Sequence, residues 1–240
     1  MISIIIPTLG EAKVIDSTLR ALTGALTLEH EIIVSDGGST DHTVDLARPY
    51  ADRIVVFAGE GHQTIAQGRN DGAKQATGDF LVFLDADCVI PEPDQFFTRA
   101  IARFEHDPTL VGLTAYLRVF PEKETFGDKL VHGIINVALT VANNLLRRGI
   151  AYGEFQMIRR TAFARVNGYR GDLVTIEDAD MFRRLSRIGR TRIDPNLCVL
   201  HSGRRLHQVG WFPLIVMALI NVVSVTVRNR AFTKEWKVIR

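Results

Sequence analysis

The sequence predicts an α/β protein with a doubly wound, mostly parallel β-sheet and further helices at its C-terminal end. One reason is that short β-branched or aromatic runs alternate with segments of helical spacing through residues 1–90. The other is that only short turns separate them, which favours right-handed crossovers between parallel strands. An antiparallel α+β arrangement would need hairpin turns between the strands, and none is visible in this part of the sequence.

Strands and helices are expected in alternation in the first half. Residues 2–6 form a β-branched run that stops at Pro7, as a buried parallel strand would. The pair Gly37-Gly38 indicates a turn, after which Ser39 or Thr40 is expected to cap a helix. The other strands are expected at 32–34, 53–57 and 80–84, and the other helices at 12–26 and 63–76.

The second half has longer elements. The patterns predict strands at 111–120 and 192–200, an extended segment at 151–158, and helices at 126–146, 161–166, 176–188 and 211–227. No linker or change of composition interrupts residues 1–200, so we expect one large domain there.

Composition and charge exclude some classes of protein. The chain has 240 residues, of which 46% are hydrophobic, and a formal net charge of +2. This composition is typical of a globular protein with a substantial core. A nearly neutral chain lacks the overall positive field of a nucleic-acid-binding protein, so nucleic acid is not expected as a partner.

Polar clusters follow three of the predicted strands, at residues 8–11, 35–41 and 85–87. Because ligands bind at the carboxyl ends of the strands in open α/β sheets, we expect the functional site at this end of the sheet. The glycine-rich turn matches neither G-x-G-x-x-G nor the P-loop pattern. This argues against a dinucleotide-dependent enzyme and against a P-loop phosphotransferase.

Asp85 and Asp87 flank one alanine at the end of the apolar run 80–84. In an extended segment, residues two apart point to the same side, so both carboxylates would face one cation. Their repulsion is relieved by a divalent ion or by protonation of one of them. Mg²⁺ or Mn²⁺, with substrate phosphates completing its shell, is the ion that suits such ligands; the alternative is a solvated acidic turn.

Four segments together resemble the family-2 glycosyltransferases: "IIIPTLGE", "EIIVSDGGSTDHT", "GRNDGAKQATGDFLVFLDAD" and "IEDADMFRRLSRIGR", in this order. The resemblance covers residues 2–211 and implies the GT-A fold, which is Rossmann-like. It implies a metal-dependent, inverting glycosyltransferase of the hexosyltransferase type, with a UDP- or GDP-sugar as donor. It also implies a domain over 1–211, with a nucleotide-binding half (1–90) and an acceptor half (91–211).

The resemblance assigns roles to single residues. Those that would bind the donor are Pro7, Thr8, Glu11, Asp36, Arg69 and Asp85. Among them, Arg69 would reach the base or the diphosphate, and Asp85 would lie near the ribose and the metal. Asp87 would be the direct metal ligand. The sequence departs from the family pattern at Gly10, where Asn is frequent, and at Gly37, where a second Asp is frequent, which leaves the nucleotide open.

By the same resemblance, Asp178 in "TIEDAD" is the general base of a single displacement. The helix N-terminus favours its anion and Glu177 opposes it, and we expect the carboxylate to be ionised near neutral pH. The alternative is that these acids only complement the helix dipole. His201 is either a third metal ligand or a structural histidine. Arg204 and Arg205 face the donor diphosphate, anionic lipid or solvent.

Residues 211–227 are apolar apart from Asn221, Ser224 and Thr226. A helix of this length spans about 25 Å, less than the ~30 Å hydrocarbon core. Five basic residues follow it: Arg228, Arg230, Lys234, Lys237 and Arg240. We therefore expect residues 212–240 to be an apolar helix with a basic tail that lies on an anionic membrane surface, or, alternatively, packs on the domain or a second subunit.

The expected localisation is cytoplasmic, with peripheral attachment to the inner face of the cell membrane if the tail binds lipid. The acceptor is then a lipid-linked sugar or a polyprenyl phosphate; otherwise a hydroxyl or phosphate of another sugar acceptor. Two other functions stay open. A nucleotidyltransferase usually has a Gly-rich basic loop, whereas "PTLGEAKV" has one Gly and one Lys. A non-catalytic nucleotide-sugar-binding protein would not need Asp85, Asp87 and Asp178.

Overall fold

The computed structural model describes residues 1–59, 63–228 and 230–233. In this part of the chain, eight strands form one sheet in the order β3-β2-β1-β4-β7-β6-β8-β5. The strands are β1 (Ile2–Thr8), β2 (His30–Asp36), β3 (Arg53–Val56), β4 (Phe80–Leu84), β5 (Cys88–Val89), β6 (Leu110–Val119), β7 (Phe155–Arg159) and β8 (Arg190–His201). The helices are α1 (Ile15–Thr23), α2 (Thr43–Ala47), α3 (Ile65–Gln75), α4 (Pro93–His106), α5 (Phe126–Thr140), α6 (Arg160–Arg165), α7 (Glu177–Leu185), α8 (Arg204–Val209) and α9 (Trp211–Arg228). A π-helical turn, Val141–Leu145, continues α5.

The sheet is mixed but mostly parallel, as the sequence predicted. β1 pairs in parallel with β2 and β4, β2 with β3, and β6 with β8. β7 is antiparallel to both of its neighbours, β4 and β6, and the short β5 is antiparallel to β8. Because Leu84 pairs with Phe155, the residues just before β7 lie beside the carboxyl end of β4.

Apolar side chains cover both faces of the sheet. Ile4 and Ile6 belong to one buried cluster and Ile5 to the other, as the two-residue period of a strand requires. Phe97 of α4 packs in the first cluster and Phe182 of α7 in the second. Helices therefore shield both faces of the sheet, and a polar ligand can approach it at the ends of the strands.

Several local features differ from the sequence-based expectation. Strand β1 does not stop at Pro7 but continues to Thr8, and the short β5 and helix α8 were not predicted. Helix α4 was not predicted, although Pro93 occupies its first turn, where the missing N–H leaves no hydrogen bond unmade. The expected cap at Ser39 or Thr40 is wrong, because α2 begins only at Thr43 and no side chain caps it. Ser39 instead binds the carboxylate of Asp36.

The C-terminal helix α9 has many exposed apolar side chains, among them Phe212, which is 78% exposed, and Val227, which is 76% exposed. Among the residues that the structure describes, no helix has both the length and the apolar character needed to cross a bilayer. Lys234, Lys237 and Arg240 of the predicted basic tail lie outside the described residues.

Candidate active site

The carboxyl ends of β1 and β2 meet at Asp36, which is fully buried. Thr8 lies opposite it, and its hydroxyl donates a hydrogen bond to Asp36 Oδ1 at 2.9 Å. The backbone N–H groups of Gly38 and Ser39 donate to Asp36 Oδ2 at 3.0 and 2.7 Å. Asp36 thus fixes the glycine turn, while half-buried Pro7 precedes Thr8 on the same strand.

Residues 85–87 form a turn that follows β4, and not an extended segment. A backbone hydrogen bond of 3.1 Å to the carbonyl oxygen of Asp85 closes this turn. The two carboxylates consequently face different partners: Asp85 accepts from Arg69, and Asp87 accepts from Arg204. The premise of an extended segment is therefore wrong, because the strand has already ended. Asp87 is still close enough to raise the pKa of Asp85 through its charge, and the binding of one cation by both carboxylates stays a prediction.

Arg69 of α3 links three elements beneath this turn, and its side chain has no exposed surface. Its Nη1 donates to Glu177 Oε1 at 2.7 Å, and its Nη2 donates to Asp85 Oδ1 at 3.1 Å and to the Gly153 carbonyl at 2.8 Å. Burial alone would lower the pKa of Arg69, but Asp85, Tyr169 and Glu177 raise it well above its usual range. The guanidinium stays charged and is committed to internal partners, which fits a residue that positions Asp85 better than one that reaches the donor base.

Asp178, the second residue of α7, lies close to the same group. A methyl group built on Gly153 would lie 3.3 Å from Asp178 Oδ2 and 3.5 Å from Arg69 Nη2, so these side chains converge on one point. Burial and the adjacent Glu177 raise the pKa of Asp178 to about 7, although Arg69 acts in the opposite direction. The pKa of Asp178 therefore lies well above that of an ordinary aspartate, so the expectation of a fully ionised carboxylate near neutral pH is not supported.

Glu154 is an acid of this site that the sequence analysis missed. Its carbonyl oxygen accepts a 3.1 Å hydrogen bond from the backbone N–H of Asp85. Burial, and after it the charges of Asp85, Asp178 and Asp87, together raise the pKa of the Glu154 carboxyl to about 8. Only the antiparallel pairing of β7 with β4 brings Glu154 here, and no local pattern in the sequence reveals that pairing.

Arg204, at the start of α8, connects two of the predicted site residues. Its Nε donates to Asp87 Oδ2 at 3.2 Å, and its Nη2 donates to Glu11 Oε1 at 3.1 Å. The hydroxyl of Ser202 also donates to Asp87 Oδ2. The structure places Arg204 beside acids at this end of the sheet, with its side chain 25% exposed, and its contact with a donor diphosphate stays a prediction.

His201 lies at the end of β8, where it pairs with Cys88 next to Asp87. Its Nε2 is 3.2 Å from Nε2 of His132 on α5, and the ring of His132 packs edge-on against Trp211 at a centroid distance of 4.9 Å. Burial lowers the pKa of His201 and lowers that of His132 to about 4, so both rings are neutral at pH 7. In this arrangement His201 has a structural contact, and its role as a metal ligand stays a prediction.

The acids at the carboxyl end of β4 suit a hard divalent cation. Burial and the charge of Asp87 raise the pKa of Asp85 to about 6 although Arg69 opposes them, so a further positive charge would stabilise both anions. The guanidinium of Arg204 on Asp87 shows that a cation is favoured there. Within the described ranges, no three Asp, Glu, His or Cys side chains are already grouped to hold an ion. Substrate oxygens or side-chain movement would have to complete the ligand set.

Comparison with known proteins identifies the family. The sequence model of the family described as glycosyl transferase family 2 matches residues 3–166, which is more than half of the chain. The chain belongs to glycosyl transferase family 2. The matched range includes Asp36, Arg69, Asp85 and Asp87, and ends before Asp178.

Curated relatives of this family 2 chain have the same general description. A PGL/p-HBAD biosynthesis glycosyltransferase of Mycobacterium bovis (strain BCG / Pasteur 1173P2) is 35% identical over 113 residues, 45% of this chain and 44% of the relative. A validoxylamine A glucosyltransferase of Streptomyces hygroscopicus subsp. jinggangensis (strain 5008) is 40% identical over 90 residues, 35% of this chain and 21% of the relative. The chain thus spans less than half the length of these curated relatives.

Solved structures confirm the predicted fold. The mannosyltransferase PcManGT from Pyrobaculum calidifontis, in complex with GDP-Man and Mn²⁺, aligns with a TM-score of 0.75 at 19% identity, covering 95% of this chain and 64% of that one. Glucosyl-3-phosphoglycerate synthase from Mycobacterium tuberculosis, in complex with Mn²⁺, UDP and glucosyl-3-phosphoglycerate, aligns with a TM-score of 0.61 at 19% identity, covering 93% and 79%. The chain has the GT-A arrangement of these glycosyltransferases.

Proposed function

We propose that this family 2 member transfers a sugar from a UDP- or GDP-linked donor to a hydroxyl or phosphate acceptor, in a metal-dependent reaction that inverts the anomeric centre. The observation that supports this most is the convergence of Asp85, Arg69 and Asp178 around Gly153, beside the turn that ends in Asp87. The structural relatives bound to GDP-Man, UDP and Mn²⁺ support the same donor and cofactor classes. A nucleotidyltransferase is disfavoured by the family membership.

The donor would lie along the carboxyl ends of β1, β2 and β4. Thr8, Asp36 and half-buried Pro7 would form the nucleoside end, with Glu11 next to them. Asp87, together with Asp85, would hold Mg²⁺ or Mn²⁺, and the ion would neutralise the charge that develops on the leaving diphosphate. His201 is the candidate for a third protein ligand.

Two arginines would act at this end in different ways. Arg204 already lies between Glu11 and Asp87, so it is close enough to add positive charge beside the diphosphate. Arg69, by contrast, would act through Asp85, whose carboxylate it orients from below. This replaces the direct contact with the donor that the sequence suggested for Arg69.

Asp178 would remove the proton from an acceptor hydroxyl as its oxygen attacks the anomeric carbon. A pKa of about 7 makes its carboxylate an efficient base near neutral pH, since a base acts best when its pKa is close to the working pH. If the acceptor is a phosphate, its oxygen is already anionic, and Asp178 matters less. Transfer of the sugar to the acceptor would then depend mainly on neutralising the leaving group.

The proposal includes a peripheral position on the anionic inner face of the cell membrane and a lipid-linked acceptor. Its support is the exposed apolar surface of α9, where Phe212, Leu219 and Val223 are 78%, 60% and 61% exposed, with exposed Arg228 at the end of the helix. Apolar helices with basic flanks bind anionic membrane surfaces.

Metal-dependent donor binding by the Asp87→Asn variant tests the core of this proposal. In a thermal-shift panel of UDP- and GDP-sugars, the wild-type protein should be stabilised by one donor only with Mn²⁺, and the variant should lose this stabilisation because a neutral amide binds the ion weakly. Asp45→Asn, on the exposed side of α2, is the matched control and should behave as wild type. Unchanged Mn²⁺-dependent stabilisation of Asp87→Asn would refute the metal assignment.

A further inference from the structure

Helix α5 and its π-helical continuation have their apolar side facing outward. The exposed apolar residues recur every three or four positions, at Phe126, Leu130, Ile134, Val137, Val141 and Leu145. Their exposed fractions range from 39% at Val141 to 81% at Phe126. The buried positions between them are mainly polar: Asp128, His132, Asn136 and Asn143, with Leu139. This is the reverse of the amphipathic pattern of a helix whose outer side meets water.

The inward polar side is fixed by specific hydrogen bonds. Asp128 Oδ1 accepts from Trp211 Nε1 at 2.8 Å, and Asn136 Oδ1 accepts from the hydroxyl of Tyr152 at 2.9 Å. Asn143 Oδ1 accepts from the hydroxyl of Thr191 at 3.0 Å. A rotation of the helix that buried its apolar side would break these bonds and leave buried polar atoms unpaired, which is strongly unfavourable. The exposed apolar surface is therefore a stable property of the fold.

A cavity of about 470 Å³ lies at the far end of this helix, where β6 and β8 begin. Its lining includes Arg147, Arg190, Asn143 and Thr191, and no acidic residue. Arg190 is paired with Asp107 at 3.2 Å, outside the lining. Arg147 is exposed, the salt bridges among the described residues include none to it, and its backbone lies in the left-handed region with φ 54°. Because Asp107 balances Arg190, Arg147 supplies the positive charge of this recess, which lies at the end of the sheet opposite to the donor site.

The apolar surface and the charged cavity are continuous. Leu145 and Leu146, which are 73% and 61% exposed, directly precede Arg147 in the chain. A free phosphate would use the cavity and leave the apolar surface uncovered, and a second copy of the chain would cover the apolar surface without needing the arginines. An anionic phospholipid uses both, because its phosphate is anionic and its chains are apolar.

We propose that α5 lies in the surface of an anionic bilayer and that the cavity of Arg147 and Arg190 binds the phosphate of one phospholipid head group. The helix and its π-helical turn would then lie flat, with the six exposed apolar residues in the acyl region. This inference rests on the membrane association proposed above, and not on the transfer of a sugar.

Co-sedimentation with vesicles tests the proposal on the full chain. The probes are phosphatidylcholine vesicles with and without one fifth phosphatidylglycerol. Wild type should pellet with the anionic vesicles, and the Arg147→Gln and Arg190→Gln double variant should bind them at least about tenfold more weakly. Ile134→Ser with Val137→Ser should weaken binding to the same vesicles as well. The controls are Arg48→Gln, an exposed arginine of another surface, and Val56→Ser, which is 50% exposed on β3; both should bind as wild type.

Several outcomes would overturn the inference. Equal binding by wild type and the double arginine variant rejects the head-group site. Arg147→Gln alone changes only an exposed residue, so its binding reports on the site without any folding defect that the change at Arg190 could cause. Stabilisation by inorganic phosphate without any vesicle binding assigns the cavity to a free anion. A dimer in sedimentation velocity that Ile134→Ser with Val137→Ser dissociates, without vesicle binding, assigns the helix to a second copy. Mn²⁺-dependent donor binding, measured on the same variants, separates a failure here from a failure of the proposed function.

Discussion

At the scale of the residue, Asp178 shows how its surroundings decide the protonation of a carboxyl group. The helix N-terminus favours the anion, but burial and Glu177 raise its pKa to about 7. A base must be deprotonated to act, so hydrolysis of the donor identified by thermal shift should increase with pH, reach half its maximum near pH 7 and level off above about pH 8. Asp178→Asn should retain Mn²⁺-dependent donor binding and lose at least about 100-fold in this rate. Initial rates between pH 5.5 and 9 provide the measurement.

Asp172→Asn is the control for Asp178, because Asp172 is an acid of the preceding loop that pairs with Arg170 at the surface. It should keep the wild-type rate and pH profile. Full turnover by Asp178→Asn would reject its role as base, and a flat profile for the wild type would do the same. Loss of donor binding in Asp178→Asn would instead indicate a structural effect.

At the scale of the element, Arg69 joins α3, the end of β4 and the start of α7. Its removal leaves buried Glu177 and half-buried Asp85 without their cation, and breaking one side of a buried pair typically costs about 3–5 kcal/mol. We expect Arg69→Met to lower the free energy of unfolding by about this amount in urea, whereas exposed Arg48→Met should change it by less than about 0.5 kcal/mol. A loss below about 1 kcal/mol for Arg69→Met would mean that this network does not hold the elements together.

The elements of the first half could be predicted because each has a local cause. Local composition predicts a strand at the β-branched run 2–6, a turn at the glycine pair after Asp36 and a strand at the apolar run before Asp85. Pairings between distant segments have no such local signal. The antiparallel β7, the contact of Glu154 with Asp85 and that of Arg204 with Asp87 depend on the return of the chain from the second half. Helical spacing likewise predicted a helix at 126–146 but not that its polar side faces inward.

At the scale of the whole molecule, the sheet brings together acids from distant parts of the chain. Asp85 follows β4, Glu154 precedes β7 and Asp178 lies in the first turn of α7, and burial is the largest cause of the raised pKa of each. Such an arrangement destabilises the folded state when the acids ionise, and it is retained where a cation and a substrate use the charges. The site should therefore be visible in the stability of the entire protein as a function of pH.

The sign of this effect follows from proton binding. Between the ordinary pKa of a glutamate and the raised value of about 8, the folded state holds a proton on Glu154 that the unfolded chain has released, so stability falls as pH rises. His132, whose folded pKa is lowered to about 4, acts oppositely, but only below its unfolded pKa of about 6.5. The loss should therefore appear between about pH 6.5 and 8. Without metal, Glu154→Gln should raise the Tm by at least about 3 °C at pH 8 and by little at pH 5, as measured by calorimetry. Glu105→Gln, on the exposed side of α4, is the control. An equal Tm for Glu154→Gln and wild type at pH 8 would show that Glu154 is not held in its protonated form.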